Sequence, residues 1–262
     1  MPFPEAKRVV YKKNTLQNVI CQLRFPPILR IDSEIPSQFQ ERIKDIFPFY
    51  KEKTEVIQQE LSSLSLAPTE VNQMMMKSSN RKNHEFLSDD EMLKVNLTRT
   101  FIALSTSQYT RWEEFLNILG KIINALFEIY SPSFVTRIGL RYVNIFDRTL
   151  LELKDADWNE LLNPYLLGLL SSEFRNNIDV LESVYEIKLI DNISKVRIAT
   201  SLIEGINSKE KSFMVDSDFS HTKRISREIA WDKLNFLHER STRLIRYIVT
   251  DKLHKAMEPE EI

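Results

Sequence analysis

The chain has 262 residues, of which 42% are hydrophobic and 28% are charged, and its formal net charge is −1. This composition is typical of a globular protein, so it argues against disorder and against a general attraction to nucleic acid or membrane surfaces. The four glycines are far apart, which excludes the glycine-rich phosphate loops and nucleophile elbows of Rossmann, P-loop, kinase and α/β-hydrolase enzymes.

The single cysteine, Cys21, excludes a disulfide framework and a cysteine-rich zinc site. No segment approaches the roughly 18 consecutive apolar residues of a membrane span, and the first residues lack the apolar core of a signal peptide. We therefore expect a cytoplasmic protein with no membrane association. No motif indicates a cofactor.

The N-terminal part predicts an arm, a strand and a helix. Residues 1–15 are polar and basic and contain prolines, as in an extended arm. Residues 18–25 alternate between two faces, which predicts a strand. A helix is predicted to begin at Ser33 or Pro36 and to end before Pro48.

Shorter strand-like segments follow this helix. They cover residues 54–65, 71–77, 84–88, 91–97 and 101–105. Asp89 and Asp90 stand between two of these segments and predict the turn of a hairpin. The consecutive residues Met74, Met75 and Met76 alternate between faces, so we expect them to fill core and edge positions rather than to form a soft metal site.

The middle of the chain predicts its clearest helix and its clearest strand. The helix covers residues 111–129, with Thr110 as its N-cap and Trp112 on its apolar face. Residues 134–147 then alternate as a strand.

The second half predicts helix, strands and helix again. Residues 150–172 are predicted helical with a break near Pro164, residues 178–190, 195–203 and 211–219 as strands, and residues 228–257 as a long helix. Short connections between adjacent strands favour antiparallel pairing. The sequence therefore predicts an α+β fold, in which antiparallel sheet of about seven to nine strands packs against the middle and C-terminal helices. We divide the chain into an arm at 1–15 and two halves at 16–147 and 148–262, packed as one compact unit.

Five short pieces of the sequence carry a family resemblance. They are CQLRF at 21–25, Tyr109-x-x-Trp112-x-x-Phe115, RIGLRYVN at 137–144, Asp216-x-Asp218, and Leu234-x-x-Leu237-His238 leading into Ile248-Val249-Thr250-Asp251. Across residues 15–257 the chain resembles a sporadically distributed, functionally uncharacterised prokaryotic family, and RIGLRYVN is the most specific piece. The resemblance implies a shared fold and brings no catalytic or binding residues. By analogy, such a patchy distribution suggests a mobile defence or toxin–antitoxin type of locus.

Asp216 and Asp218 are the best candidates for metal ligands. They lie two residues apart on a predicted strand and face the same way, as paired Mg²⁺ ligands could. We favour the commoner alternative, a salt bridge or a solvated face. His238 is expected to pack in the core and to bond with a neighbouring carbonyl, and Cys21 is expected to be an inert core thiol.

Three arginines are the best candidates for binding a ligand. Arg137 and Arg141 share a strand face on either side of Gly139, where the missing side chain lets a ligand come close. If the first strand is a neighbour, Arg24 joins them and the three guanidinium groups could hold one anion. In the alternative, which we favour, the arginines pair with acidic side chains and Gly139 admits a ring such as that of Trp112.

A second set of arginines, Arg240, Arg243 and Arg246, recurs at every third residue of the last predicted helix. A solvated face is the commonest role for such a set. Binding to phosphate backbones or to an acidic protein partner are the alternatives.

These observations favour a non-enzymatic binding or regulatory protein that acts through a protein partner, and a protein encoded by a neighbouring gene is one candidate. The alternative is a nucleotide or nucleic-acid binding protein that uses the strand arginines and the basic helix. A metal-dependent enzyme built on Asp216 and Asp218 is less favoured. Homo-oligomers are compatible with all three hypotheses.

Overall fold

The computed structural model describes residues 2–55, 81–205 and 210–261. In these ranges the chain forms eleven strands and seven α-helices. The strands are β1 (Val9–Tyr11), β2 (Leu16–Arg24), β3 (Phe49–Glu55), β4 (Arg81–Leu87), β5 (Leu93–Thr98), β6 (Phe101–Thr106), β7 (Arg137–Phe146), β8 (Glu182–Lys188), β9 (Lys195–Glu204), β10 (Lys211–His221) and β11 (Pro259–Glu261). The helices are α1 (Arg30–Ser33), α2 (Ser37–Ile43), α3 (Trp112–Tyr130), α4 (Trp158–Leu161), α5 (Pro164–Leu167), α6 (Arg227–Ile248) and α7 (Asp251–Ala256).

Nine of the strands form one antiparallel sheet in the order β3-β4-β5-β6-β2-β7-β10-β9-β8. The predicted α+β fold with about seven to nine strands is therefore confirmed. β7 lies next to the central strand, β2, and pairs with it on one side and with β10 on the other. Strands from both halves of the chain thus belong to the same sheet. β1 and β11, near the two chain ends, form a separate antiparallel pair.

Alternation along the strands gives the sheet a buried face and an outer face. Cys21, Leu140 and Phe219 lie on the buried face with no exposed surface, and burial raises the pKa of the Cys21 thiol. α6 packs across β7 and β10 on this side, and α2 packs on α3. The outer face carries mostly polar and charged side chains, as expected where one face of an antiparallel sheet meets water.

α3 begins at Trp112, one residue later than the sequence predicts. Its N-cap is Arg111, whose side chain makes no capping hydrogen bond. The prediction of Thr110 as the cap is therefore wrong: its hydroxyl donates instead to the carboxylate of Glu114, one turn into the helix. The helix ends where Ser131 adopts a left-handed conformation with φ 46°.

The continuous helix predicted over residues 228–257 is two helices, α6 and α7. They are separated where Val249 adopts an extended conformation, with φ −88° and ψ 143°. Thr250 then caps α7 by accepting a hydrogen bond from the backbone N–H of Leu253, at 3.4 Å. The same hydroxyl donates to the backbone carbonyl of Glu160 at 2.6 Å, which ties the junction to α4.

Residues 150–172 do not form the long helix that the sequence predicts. α4, α5 and a 3-10 turn at Gly168–Ser171 share this stretch. Pro164 begins α5, and Gly168 has φ 53°, so the backbone turns twice within a few residues.

The remaining strand predictions differ at their ends. β3 begins at Phe49, ahead of the predicted start at residue 54, and β8 is shorter than the predicted 178–190. Residues 56–65 of the predicted segment 54–65 lie outside the described residues, as does the predicted segment 71–77 with its three methionines. Within the described part of the chain, no helix combines the length and apolar character needed to cross a bilayer.

Candidate functional site

The three strand arginines lie on the outer face of neighbouring strands. In the pairing of β2 with β7, Arg24 is opposite Arg137 and Ile20 is opposite Arg141. The first strand is therefore a neighbour of β7, and Arg24 lies beside Arg137. The Nε of Arg24 donates to the side chain of Gln22 at 2.9 Å.

Carboxylates from β10 bind the other two guanidinium groups. Arg137 donates to both carboxylate oxygens of Asp218, at 2.9 and 3.2 Å. Arg141 donates to both carboxylate oxygens of Asp216, at 2.6 and 2.7 Å. An incoming anion would have to displace a carboxylate at each of these arginines.

The two aspartates are therefore engaged with arginine. The Asp216 side chain is 11% exposed, and its hydrogen bond raises the pKa of the Arg141 guanidinium. Among the residues that the structure describes, no three His, Cys, Asp or Glu side chains are grouped closely enough to hold a metal ion.

Gly139 makes room for the arginine of its own strand. A Cβ placed on Gly139 would lie 2.2 Å from Nη1 of Arg137, and the nearest atoms around it all belong to Arg137. The guanidinium crosses residue 139 to reach Asp218 on β10 and Gln22 on β2, at 3.2 Å from the latter. The expectation that Gly139 admits Trp112 is wrong, because Trp112 lies among the side chains of the buried face.

The arginines of the last long helix also have acidic neighbours. Arg240 lies 3.7 Å from Glu239, Arg243 donates to the same carboxylate, and Arg246 donates to Asp251. The three arginine side chains are 11%, 16% and 35% exposed. They therefore present paired and largely covered guanidinium groups rather than an open cationic stripe.

A cavity of about 100 Å³, which we call the arm cavity, lies beneath the N-terminal arm. Its wall comes from five places: the arm, the start of β2, the start of α3, β7 and α6. Of the arginines that the sequence singled out, Arg246 lines this cavity. The position is concave and partly aromatic, as small-ligand sites usually are.

Three side chains join α3, β7 and α6 at one wall of the arm cavity. The rings of Trp112 and His238 stack with their centres 4.3 Å apart and their planes within 7°. Nδ1 of His238 lies 2.8 Å from the hydroxyl of Tyr142, so the predicted bond from His238 to a carbonyl is wrong. The indole N–H of Trp112 donates to the side chain of Asn235 at 2.9 Å, which fixes the ring.

Burial, together with the positive charge of Arg8, lowers the pKa of His238 to about 3. The imidazole is therefore neutral at pH 7. A neutral imidazole has one donor and one acceptor nitrogen. Because Nδ1 is engaged with Tyr142, Nε2 is the nitrogen that is left for another group.

Two buried polar atoms of the arm cavity have no hydrogen-bond partner in the described residues. They are Nε2 of His238 and Nδ2 of Asn144, on side chains that are 9% and 2% exposed. Oδ1 of Asn144 accepts from the hydroxyl of Thr15 at 3.0 Å, so the free atom is an amide donor. Such an atom costs free energy until something binds it.

The sequence contains the residues of this wall, but it does not show that they lie together in one cavity. Tyr109, Trp112, Tyr142 and His238 all lie in the pieces that carry the family resemblance, and all four line the arm cavity. No protein-family model matches the chain. No curated protein matches it either, so the family resemblance stays a prediction.

The edge strand β8 is a second candidate site, because it exposes large apolar side chains. Half of the large hydrophobic side chains that are exposed in the described residues fall between residues 165 and 190. On and beside β8 these are Val180, Val184, Tyr185 and Ile190, which are 76%, 58%, 40% and 57% exposed. A sheet edge with free backbone groups and exposed apolar side chains is a template for another strand.

Proposed function

We propose that this is a non-enzymatic binding protein of the cytoplasm that acts through a protein partner, and that the partner adds an extended segment to β8. The observation that carries the proposal is the exposed apolar character of this seven-residue edge strand. Strand addition supplies main-chain hydrogen bonds, while the side chains on the edge select the partner.

The side chains of β8 indicate what the partner segment contains. Val184 lies on the outer face opposite Ala199, and Tyr185 lies on the buried face opposite Ile198. Both faces of the edge therefore present apolar surface, which favours a segment with apolar side chains on both of its sides. Glu182 is exposed and has no cation bound to it in the described residues, which favours a basic residue in the segment.

A second copy of this chain fits the edge less well. If two β8 strands paired antiparallel about Tyr185, each Val184 would lie opposite a Glu186 carboxylate. Apolar and charged side chains directly opposite each other stabilise a sheet poorly. A different protein, whose segment can place an apolar side chain against Val184, is therefore the favoured occupant.

The test is co-expression of the chain with the products of the genes beside it, with the bound protein identified by mass spectrometry. Val184→Lys should abolish the complex, because it replaces the apolar contact with the added strand by a charge, and a lysine on a sheet edge opposes strand addition. Ile35→Lys is the matched control, because Ile35 is equally apolar, 70% exposed and distant from β8 in sequence. A complex that survives Val184→Lys would overturn the proposal. So would a chain that is dimeric by light scattering and becomes monomeric in that variant, since the occupant would then be a second copy.

A further inference from the structure

The arm cavity has cationic side chains on several of its walls and no acidic side chain among the described residues that line it. The cations are Lys7 and Arg8 from the arm, Arg111 from the start of α3 and Arg246 from α6. Their carboxylate partners lie outside the lining and are well exposed: Glu261 is 67%, Glu113 is 50% and Asp251 is 78% exposed. Exposed ion pairs contribute little stability, so an anion inside the cavity can compete with them.

Neutral donors complement these charges. The amide Nδ2 of Asn144 is a buried donor with no partner in the described residues. Nε2 of His238 is a second donor when the Tyr142 hydroxyl donates to Nδ1. The first turn of α3, a helix of 19 residues, also starts at the cavity, and its N-cap side chain makes no capping hydrogen bond.

Size limits what the cavity can hold. A volume of about 100 Å³ is enough for a few water-sized groups. This is room for a carboxylate or a phosphate group. Aromatic walls can also bind quaternary ammonium ions, but the cations around this cavity would repel such a ligand.

We infer that the arm cavity is a binding site for an oxyanion, the carboxylate or phosphate group of a small molecule. The guanidinium groups of Arg8 and Arg246 hold the charge, and Asn144 and His238 donate to the oxygens. Trp112 and His238 form a rigid planar wall beside the group. This site is independent of the protein partner proposed at β8.

The test is a titration of the full chain followed by ¹H–¹⁵N NMR, with inorganic phosphate and acetate as separate probes and tetramethylammonium chloride as the cationic control. We expect saturable shifts of the Asn144 side-chain amide and of the backbone amides of residues 109–112 with phosphate, acetate or both. The probe that saturates at the lower concentration identifies the oxyanion. Shifts without saturation, or shifts confined to residues outside the cavity, would overturn the inference. Saturable binding of tetramethylammonium at these residues would overturn it as well.

Two cations of the arm form a matched pair of variants. Arg8 lines the cavity and bonds Glu113 at 2.7 Å, whereas Lys12 bonds Glu260 at 2.9 Å and does not line it. Arg8→Gln should weaken oxyanion binding about tenfold or more, and Lys12→Gln less than about twofold, because of these two residues Arg8 alone supplies a charged hydrogen bond to the ligand. Arg246→Gln tests the same site from α6 in case Arg8→Gln releases the arm. If the three variants all bound the oxyanion with the affinity of the wild type, the proposed site would be wrong.

Discussion

The guanidinium of Arg137 lies directly over Gly139, two residues along the same strand, so that residue 139 can have no side chain while Arg137 bonds Asp218. The glycine of RIGLRYVN is therefore required by an ion pair between the neighbouring strands β7 and β10. It does not mark an approach for a ligand or for the ring of Trp112.

Gly139→Ala should destabilise the protein by about 1 kcal/mol, because the guanidinium must leave its position between Asp218 and Gln22. In an Arg137→Ala background the same substitution should be neutral or stabilising by up to about 1 kcal/mol, since alanine restricts the unfolded chain more than glycine does. Urea unfolding of the four proteins in this cycle measures both effects. An equal cost of Gly139→Ala in the two backgrounds would show that Arg137 is not the reason for the glycine.

The sequence predicts the face on which Arg137 lies, but it does not predict the partner of Arg137. Alternation with a period of two places Arg137, Gly139 and Arg141 on one face, and the structure confirms that placement. The carboxylates come from a strand more than 70 residues away, and the register that sets Asp218 opposite Arg141 follows from the packing of the whole sheet.

The arm cavity could not be predicted from the sequence at all. Trp112 and His238 each look like one more apolar-face residue of a helix, and Asn144 like one more position of a strand. Their shared cavity exists because α3, α6, β7 and the arm converge, and no local pattern encodes that convergence. The end of α6 was missed for a related reason: the chain at Val249 and Thr250 bonds to Glu160, Leu161 and Leu162, which are distant in sequence.

Acid should destabilise the protein partly through His238. Burial holds the pKa of His238 at about 3 in the folded state, against 6.5 for an ordinary histidine. As pH falls from 6.5 toward 3, the unfolded chain binds a proton that the folded state does not bind. The free energy of unfolding therefore falls by up to about 1.4 kcal/mol per pH unit from this group.

His238→Gln isolates this effect, because glutamine does not titrate and its amide can still bond with Tyr142. The variant should be less stable than the wild type at pH 7, and the difference should shrink or reverse by pH 4. Urea unfolding at pH 7, 6, 5 and 4 measures it, and acidic groups common to both proteins cancel in the difference. A difference that does not change with pH would contradict a depressed pKa at His238.

Thr250 should contribute to stability because its hydroxyl caps α7 and also bonds α4 at the point where α6 ends. Thr250→Ala removes the cap of α7 and the bond to the carbonyl of Glu160, so we expect a loss of about 1–2 kcal/mol. Thr250→Ser keeps the hydroxyl and should restore most of this loss. Thermal unfolding of the two variants gives the comparison, and an equally large loss in the serine variant would argue against the capping role.

The N-terminal arm should open as a local unit when Phe3 is truncated. Phe3 is 3% exposed and its ring lies 6.1 Å from that of Tyr247, so its burial anchors the arm. Beyond it the arm is held by the short β1–β11 pairing and by ion pairs of exposed side chains such as Lys7 with Glu261, each worth at most about 1 kcal/mol.

Phe3→Ala should remove about 2–3 kcal/mol from the closed arm and so speed hydrogen exchange at the backbone amides of Lys12 and Lys13, which donate to the carbonyls of Glu258 and Met257. The increase should be tenfold or more, with little change at β7, because local opening does not require the sheet to unfold.

Adding salt should further increase the hydrogen exchange of the arm, because salt screens its ion pairs. Leu29→Ala is the control, since Leu29 is 67% exposed and its truncation should leave the arm closed. Equal acceleration in the arm and in β7 would mean that Phe3 stabilises the whole fold, and the arm would then not be a separate opening unit above the cavity.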